Sequence, residues 1–345
     1  MPDAAPIRPR RRHDPRALDG AVVPDGPSTI DLHAHSTRSD GVLAPSALVE
    51  AVAAAGVRTF SLTDHDTLAG YRELAAAGLT AGLQLIPGVE INALVTRDLG
   101  LWEGELHILG FGMDPDDEAF EAALVAQREA RRTRFDRTVA LLRELGLPID
   151  AQVAALEVGA DDALGRPTIA RALIAAGFAT SVEDAFSRII GHGAPGYVRR
   201  VGLGPEEAIA VIAAGFATTV EDAFSRIIGH GAPGYVRREG LGPEEAIATI
   251  ATAGGIPVLA HFREAPTRLD VMRDLVAAGL RGLEVYYRTY DAATVEAVGA
   301  VARELGLIAT GGSDYHGDLG TYAEAHASLW VPPEVGEGLL RAISA

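Results

Sequence analysis

The sequence contains no cysteine, and this absence limits the chemistry that the protein can use. Disulfides, thiolate metal ligands and cysteine nucleophiles are excluded, so any metal ion must be held by histidine and carboxylate side chains. Aromatic residues are scarce at 6%, whereas hydrophobic residues reach 48% of the 345-residue chain. The core is therefore expected to consist mainly of Ala, Leu, Val and Ile.

Long hydrophobic runs and an excess of positive charge are missing as well. No apolar stretch approaches the roughly 18 residues of a membrane span, and the arginines near the N-terminus precede no apolar signal segment. The formal net charge of -17 disfavours binding to duplex DNA or to anionic membranes. A small phosphorylated substrate remains compatible, because bound metal ions can supply local positive charge. We expect a soluble cytoplasmic protein.

The chain divides into a tail, a strand-rich part and a helical insertion. Residues 1–28 are rich in Pro, Arg and Asp without periodicity, which predicts a disordered tail. Over residues 29–113 and 254–345, apolar strands alternate with helices, a pattern typical of a mostly parallel α/β sheet or barrel. Residues 114–253 read as a helical insertion. The predicted strands are 29–32, 59–62, 83–86, 105–110, 256–260, 282–286 and 307–310.

The insertion contains a tandem repeat with a period of 38 residues. Residues 175–212 match residues 213–250 except at three pairs of positions, Ser181/Thr219, Val201/Glu239 and Val211/Thr249. Solenoid repeats rarely agree so closely, and two copies are too few to build a solenoid. One copy is therefore predicted to be surplus to the fold, and the sequence leaves open which copy packs as the original.

Histidines and carboxylates recur at the ends of the predicted strands. His33 and His35 are two residues apart, so on an extended strand both point to the same side. In parallel α/β folds, functional side chains gather at the C-terminal ends of strands. Imidazole and carboxylate suit Zn, Mn and Fe, and so many ligands predict two or three ions that share a bridging carboxylate. The candidates are His33, His35, His65, His107, His261 and His316, with Asp40, Asp64, Asp66, Glu90 and Asp314.

These motifs resemble the polymerase and histidinol phosphatase (PHP) family. They run in order from Thr29 to His316 and so cover nearly the whole chain except the tail. The segments 39–41, 165–167 and 194–198 resemble one branch, which contains nucleoside 3',5'-bisphosphate phosphatases and related 5'-to-3' exoribonucleases. The matching motifs are Asp-Leu-His-Ala-His-Ser (31–36), Thr-Asp-His-Asp-Thr (63–67), Pro-Gly-Val-Glu (87–90), His107, Leu-Ala-His (259–261) and Ser-Asp-Tyr-His (313–316).

The resemblance implies a distorted seven-stranded (β/α) barrel, TIM-like, with a trinuclear metal site. It assigns one metal to His33, His35, Glu90 and Asp314, a second to Glu90, His107 and His261, and a third to Asp40, His65 and His316. A carboxylate at Asp40, where other branches have histidine, favours a harder ion such as Mn²⁺, with Zn or Fe as alternatives. Two departures are Thr168 and Phe262, which stand where the family often has His and Pro.

The remaining site residues are hypotheses. In the expected mechanism, a hydroxide between two ions attacks the phosphorus atom in line with the leaving oxygen. Asp66 is a candidate for moving a proton, and the alternative is that it only accepts hydrogen bonds beside the ligands. Arg166 is a candidate for binding a second phosphate, since guanidinium binds phosphate in bidentate fashion, and the alternative is a surface arginine. Arg263 is expected to line the mouth of the site.

We therefore expect a phosphoesterase that removes the 3'-phosphate from a nucleoside 3',5'-bisphosphate. The alternatives are a histidinol-phosphatase-like phosphomonoesterase and a 5'-to-3' exonuclease on short RNA. A hypothesis from another class is a non-catalytic metal-binding module. Absence of some ligands of the family pattern would favour it, and the sequence contains all of them.

Overall fold

The computed structural model describes residues 28–78, 82–95, 105–156, 158–191, 194–197, 240–317 and 320–344. The predicted disordered tail lies outside these residues except for Ser28. The Ser28 side chain is buried, and its hydroxyl donates a hydrogen bond to the Ile30 carbonyl at 2.8 Å.

Seven strands form one sheet in sequence order, and the sheet curls into a nearly closed barrel. Four of the six pairings are parallel, whereas β4 runs antiparallel to both of its neighbours. The last strand returns to the first, since the Leu32 amide donates to the Gly311 carbonyl at 3.1 Å. The predicted distorted barrel is confirmed. Its strands are β1 (Ile30–Asp31), β2 (Thr59–Leu62), β3 (Gln84–Leu94), β4 (Glu105–Phe111), β5 (Ile256–Leu259), β6 (Gly282–Tyr287) and β7 (Ile308–Gly312).

Strand β3 differs most from the sequence prediction, because it continues eight residues past Ile86. Pro87 and Gly88 signal a strand end, since proline cannot donate a ladder hydrogen bond. Here the second half of β3 pairs with antiparallel β4, and the Pro87 carbonyl accepts from the Gly112 amide at 2.8 Å. Because β4 is antiparallel, His107 lies near the start of its strand and still faces the edge at which the parallel strands end.

The helices connect the strands and form a separate lobe. Helix α1 begins with proline in its first turn, a residue well suited to that position because it has no N–H to leave unpaired. In the described part of the chain, the helices are α1 (Pro45–Ala54), α2 (Ala69–Ala77), α3 (Glu118–Glu144), α4 (Asp150–Ala154), α5 (Arg166–Ala175), α6 (Val182–Ala185), α7 (Pro243–Thr252), α8 (Leu269–Ala277), α9 (Ala292–Glu304), α10 (Tyr322–His326) and α11 (Pro333–Ile343). A π-helical turn, Phe186–Ile190, follows α6, and a 3₁₀ turn, Ala265–Thr267, precedes α8.

Two apolar cores show how the repeated segment is used. Ile247 and Ile250 of α7, from the end of the second copy, pack into the barrel core with Ile108. Ile189, from the first copy, packs into a different core with Leu142 of α3. We call this second core the helical lobe; its buried members are Phe135, Val139, Leu142, Ile149, Leu164, Ile169, Ala170, Ala172, Leu173, Ala179, Ala185, Ile189 and Ile190. The described fold therefore uses the start of one copy and the end of the other.

Candidate metal centre

The nine residues predicted to bind metal meet at one end of the barrel. Their donor atoms form three groups, and the atoms within each group lie within 4.8 Å of one another. These groups contain the three ligand sets that the family resemblance implies, with His35 also present in the third. The groups are His33, His35, Glu90 and Asp314; Glu90, His107 and His261; and His35, Asp40, His65 and His316.

Glu90 is at the centre of the arrangement. Its Oε2 lies 3.1 Å from His35 Nε2 and 3.1 Å from His65 Nδ1. Its Oε1 lies 2.8 Å from His107 Nδ1 and 3.4 Å from His261 Nε2. A carboxylate whose two oxygens face different imidazoles is suited to bridge two metal ions.

The backbone is strained at this end of the barrel. Among the described residues, three that are not glycine have positive φ angles: Asp66 at 51°, His261 at 30° and Asp314 at 47°. Asp and His tolerate this region better than bulky or branched residues, at a cost of order 1–3 kcal/mol each. Two of the three, His261 and Asp314, are predicted ligands, and they lie in the turns after β5 and β7.

The donor atoms fit metal ions because several of them have no other partner. His33 Nε2, His35 Nε2, His65 Nδ1, Asp40 Oδ1 and Asp314 Oδ1 are buried and accept or donate no hydrogen bond within the described structure. Burying polar atoms without a partner is costly, and native structures rarely leave so many unpaired. Divalent cations at the three groups would satisfy these atoms.

The electrostatics of the metal-free cluster point the same way. Burial disfavours the charged imidazolium of His35, but the carboxylates of Asp314, Glu90 and Asp40 outweigh this effect and raise its pKa to about 10. Burial likewise disfavours the charged carboxylates of Glu90 and Asp314, yet the surrounding histidines hold their pKa values well below the ordinary range. Without a metal ion, the carboxylates therefore favour protonation of His33 and His35, whereas burial holds the pKa of His65 well below its ordinary value.

Further side chains hold the predicted ligands in place, and sequence reasoning missed the main one. Glu284 of β6 is fully buried; its Oε1 lies 3.0 Å from His33 Nδ1, and its Oε2 accepts from the His261 amide at 2.8 Å. The Tyr287 hydroxyl donates to Asp314 Oδ2 at 2.7 Å. Glu284 could have been found, because like Glu90 it is an acidic residue inside an otherwise apolar strand.

Asp66 and Asp64 do not join the three donor groups. The fully buried Asp66 carboxylate accepts from Arg131 Nε and, at 3.4 Å, from Gln127 Nε2 on α3. Asp64 accepts hydrogen bonds from Ser36 and Ser39, each at 2.7 Å. This geometry agrees with the alternative in which Asp66 accepts hydrogen bonds beside the ligands, and proton transfer by Asp66 stays a prediction.

The cavity above the donor groups has a volume of about 180 Å³. Arg166, at the start of α5, lines it, and the Arg166 guanidinium lies over the rings of Phe186 and Tyr197, with centroids 5.5 and 5.8 Å away. Arg263 is exposed and lies over the Tyr290 ring, and it is not among the described residues that line this cavity. Two further arginines of α3, Arg131 and Arg134, do line it.

Comparison with known proteins identifies the fold family. Residues 31–192 match the PHP domain family. The chain is a PHP-domain protein. Over 297 residues it is 29% identical to a 3',5'-nucleoside bisphosphate phosphatase from Chromobacterium violaceum, a match that covers 84% of this chain and 87% of that protein. Over 170 residues it is 37% identical to a 5'-3' exoribonuclease from Haemophilus influenzae, which covers 49% of this chain and 59% of that protein.

A solved structure supports the same assignment for the PHP-domain protein. The crystal structure of a protein described as a metal-dependent phosphoesterase from Bifidobacterium adolescentis superposes with a TM-score of 0.66 at 27% identity, covering 90% of this chain and 95% of that one. This protein is therefore a metal-dependent phosphoric ester hydrolase. Within the described residues, no helix is both long and apolar enough to cross a membrane.

Three predicted non-ligand histidines, His13, His192 and His230, lie outside the described residues. The fourth, His326, is buried and stacks on Tyr322, with ring centroids 5.6 Å apart.

Proposed function

We propose that the protein removes the 3'-phosphate from a nucleoside 3',5'-bisphosphate, using two to three divalent ions, with Mn²⁺ preferred. The observation that carries this proposal is the cavity in which three groups of metal-ligand atoms and the Arg166 guanidinium face the same space. Metal ions suit one phosphate and a guanidinium suits another. The bisphosphate phosphatase from Chromobacterium violaceum, matched over 87% of its length, supports this choice of substrate.

The protein's own residues would divide the work as follows. The proposed metal ligands are His33, His35, Asp40, His65, Glu90, His107, His261, Asp314 and His316. Divalent ions bound there would hold the phosphate, lower the pKa of a bound water and neutralise charge at the leaving oxygen. Glu284 and Tyr287 would fix the orientation of His33 and Asp314. Arg166 would hold the second phosphate, with its side chain supported by Phe186 and Tyr197.

The test is phosphate release by Mn²⁺-loaded protein from adenosine 3',5'-bisphosphate, measured beside histidinol phosphate and a short 5'-phosphorylated RNA. We expect the highest kcat/KM for the bisphosphate. Asp314→Ala and His33→Ala should abolish turnover and lower the amount of bound metal. Full turnover in either variant would overturn the ligand assignment.

A second candidate is exonucleolytic cleavage of short RNA from the 5' end. The match to the exoribonuclease from Haemophilus influenzae favours it, because identity reaches 37% over the aligned part. Release of nucleotides from the RNA at a higher kcat/KM than phosphate release from the bisphosphate would favour this candidate over the first. Activity on histidinol phosphate alone would overturn both.

A further inference from the structure

Arg131 of the long helix α3 is buried beside the metal ligands, although the expected chemistry does not use it. Only 2% of its surface is exposed, and it lines the same cavity as Asp40, His65 and Glu90. Its Nε donates to Asp66, whereas its Nη2 is buried without a hydrogen-bond partner in the described structure. A buried guanidinium N–H without an acceptor is costly, so a ligand atom is expected to reach it.

The guanidinium is fixed in place before any ligand arrives. Asp66, which binds it, is itself held by Gln127 Nε2 and by the Asn92 amide, which donates at 3.3 Å. Burial disfavours the charged guanidinium, but the carboxylates of Asp66, Glu105 and Asp40 outweigh this and raise the pKa of Arg131 above its ordinary value. A charged, immobilised donor loses little conformational entropy when it binds an anion.

The charges around the cavity indicate what the ligand is. Three guanidinium groups, from Arg131, Arg134 and Arg166, line a space of about 180 Å³. The carboxylates of Asp40, Glu90 and Asp314 face the imidazoles and would be neutralised by bound divalent ions. Glu105 also lines this space, and it pairs with Arg134 at 2.8 Å. With divalent ions bound, Arg131 and Arg166 would present positive charge to the cavity, and planar guanidinium groups match the geometry of a phosphate anion.

We propose that Arg131 binds the second phosphate of the substrate together with Arg166, and that Asp66 is a positioning residue for Arg131. This inference rests on the proposed function and deepens it, because it defines the substrate class as compounds that carry a second phosphate beside the reacting one. It also gives Asp66 a role other than proton transfer.

The test is a thermodynamic cycle that removes Arg131 from the protein, the second phosphate from the substrate, or both. The value of kcat/KM is measured for adenosine 3',5'-bisphosphate and for adenosine 3'-monophosphate, in the natural protein and in Arg131→Gln. We expect the variant to lose about 10- to 100-fold on the bisphosphate, the scale of a charged hydrogen bond, and to lose clearly less on the monophosphate. The matched control is Arg132→Gln, an exposed neighbour on α3, which should change neither value.

Equal losses of kcat/KM on both compounds would overturn the inference. They would show that Arg131 either contacts the reacting phosphate or only stabilises the fold. If Arg131→Gln does not fold, Arg131→Lys keeps a charge beside Asp66 and should show the same selective loss at smaller size. Absence of turnover on both compounds by the natural protein would overturn the proposed function instead. In that case the dissociation constants of the same two compounds are measured instead. A loss of affinity in the variant that is larger for the bisphosphate than for the monophosphate would still support the Arg131 inference.

Discussion

Glu284 contacts the predicted metal ligands without being one of them. Its carboxylate accepts from both the His33 side chain and the His261 backbone, so one residue of β6 holds two predicted ligands that follow β1 and β5. With His33 Nδ1 bound to Glu284, Nε2 is the nitrogen that faces Glu90 and Asp314. A carboxylate on the far nitrogen sets the ring orientation and strengthens the other nitrogen as a ligand.

Replacing Glu284 with Gln should therefore weaken metal binding by about 10- to 100-fold, the usual effect of losing such a support. Titration of the metal-free protein with Mn²⁺ against a chelating indicator measures this change directly. Glu304→Gln is the matched control, since Glu304 is exposed on α9 and pairs with Arg273. Unchanged affinity in Glu284→Gln would show that the hydrogen bond does not tune the site.

Metal binding should release protons near pH 7. In the metal-free protein, burial disfavours the charged form of His33 and His35, but the neighbouring carboxylates outweigh burial and raise the pKa of both, so both rings are imidazolium ions. Coordination needs the neutral ring, so a metal ion must displace these protons, and apparent affinity should rise with pH. Calorimetric titration in two buffers of different ionisation enthalpy measures the proton count. Equal heats in both buffers would contradict the prediction.

At the scale of single elements, the sequence predicted most strands closely. β2 begins and ends where the apolar run predicts, and β6 ends one residue later than expected. The length of β3 was not predictable from local signals, because Pro87 and Gly88 are tolerated only through pairing with β2 and β4. The direction of β4 follows from that pairing as well, which a single sequence does not reveal.

The candidate site was likewise predictable in part: the strand-end residues were, and the arginines of α3 were not. Histidines and carboxylates at strand ends give a repeated local pattern, so the nine predicted ligands could be named from the sequence, and the structure brings their donor atoms together. Arg131 gives no such pattern, because its position at the cavity depends on how α3 packs across the barrel. Among the six arginines of the α3 sequence, only that packing distinguishes Arg131 and Arg134 from exposed neighbours such as Arg132.

Two glycines on neighbouring elements should respond oppositely to substitution by alanine. In β7, a Cβ on Gly312 would lie 2.3 Å from His33 Cβ and 2.4 Å from the His33 amide nitrogen, so β1 and its ligand would have to move. In α9, a Cβ on Gly299 would meet its nearest neighbours at 3.4 Å, an ordinary contact.

We expect Gly312→Ala to lower the free energy of unfolding by about 1–3 kcal/mol and to weaken metal binding. Gly299→Ala should raise the free energy of unfolding by about 0.5–1 kcal/mol, because alanine favours the helix. Chemical denaturation of both variants, with metal removed, measures the difference. A stabilised Gly312→Ala would show that β1 and β7 are less tightly packed than described.

At the scale of the whole molecule, α3 joins the barrel to the helical lobe, and both copies of the repeat contact it. A Cβ on Gly196, from the first copy, would lie 2.8 Å from Leu142 Cδ2. The Leu241 amide, from the second copy, donates to Gln127 Oε1 at 2.8 Å. Gln127 and Leu142 are separated by about 22 Å of helix at about 1.5 Å per residue. Any chain between Gly196 and Leu241 must span roughly this distance.

Deleting residues 201–238 joins Arg200 to Glu239 and leaves one complete copy, with every described residue of the repeat retained. The seven peptide steps from Gly196 to Leu241 then reach about 23–25 Å when extended, at about 3.3–3.6 Å each. The shortened chain is just long enough to run along α3. We therefore expect the deletion variant to fold, to bind the same amount of metal and to keep its kcat/KM, as measured by thermal unfolding, metal analysis and phosphate release.

A control deletion of residues 197–238 removes four more residues and leaves about 10–11 Å of reach, too little for the same span. This variant should lose the packing of either α7 or the helical lobe and should unfold at a lower temperature. If both deletions behave alike, the chain between the two contacts does not set the geometry of the lobe. If the 38-residue deletion alone destroys activity while metal binding survives, the deleted segment contributes to catalysis and is not surplus.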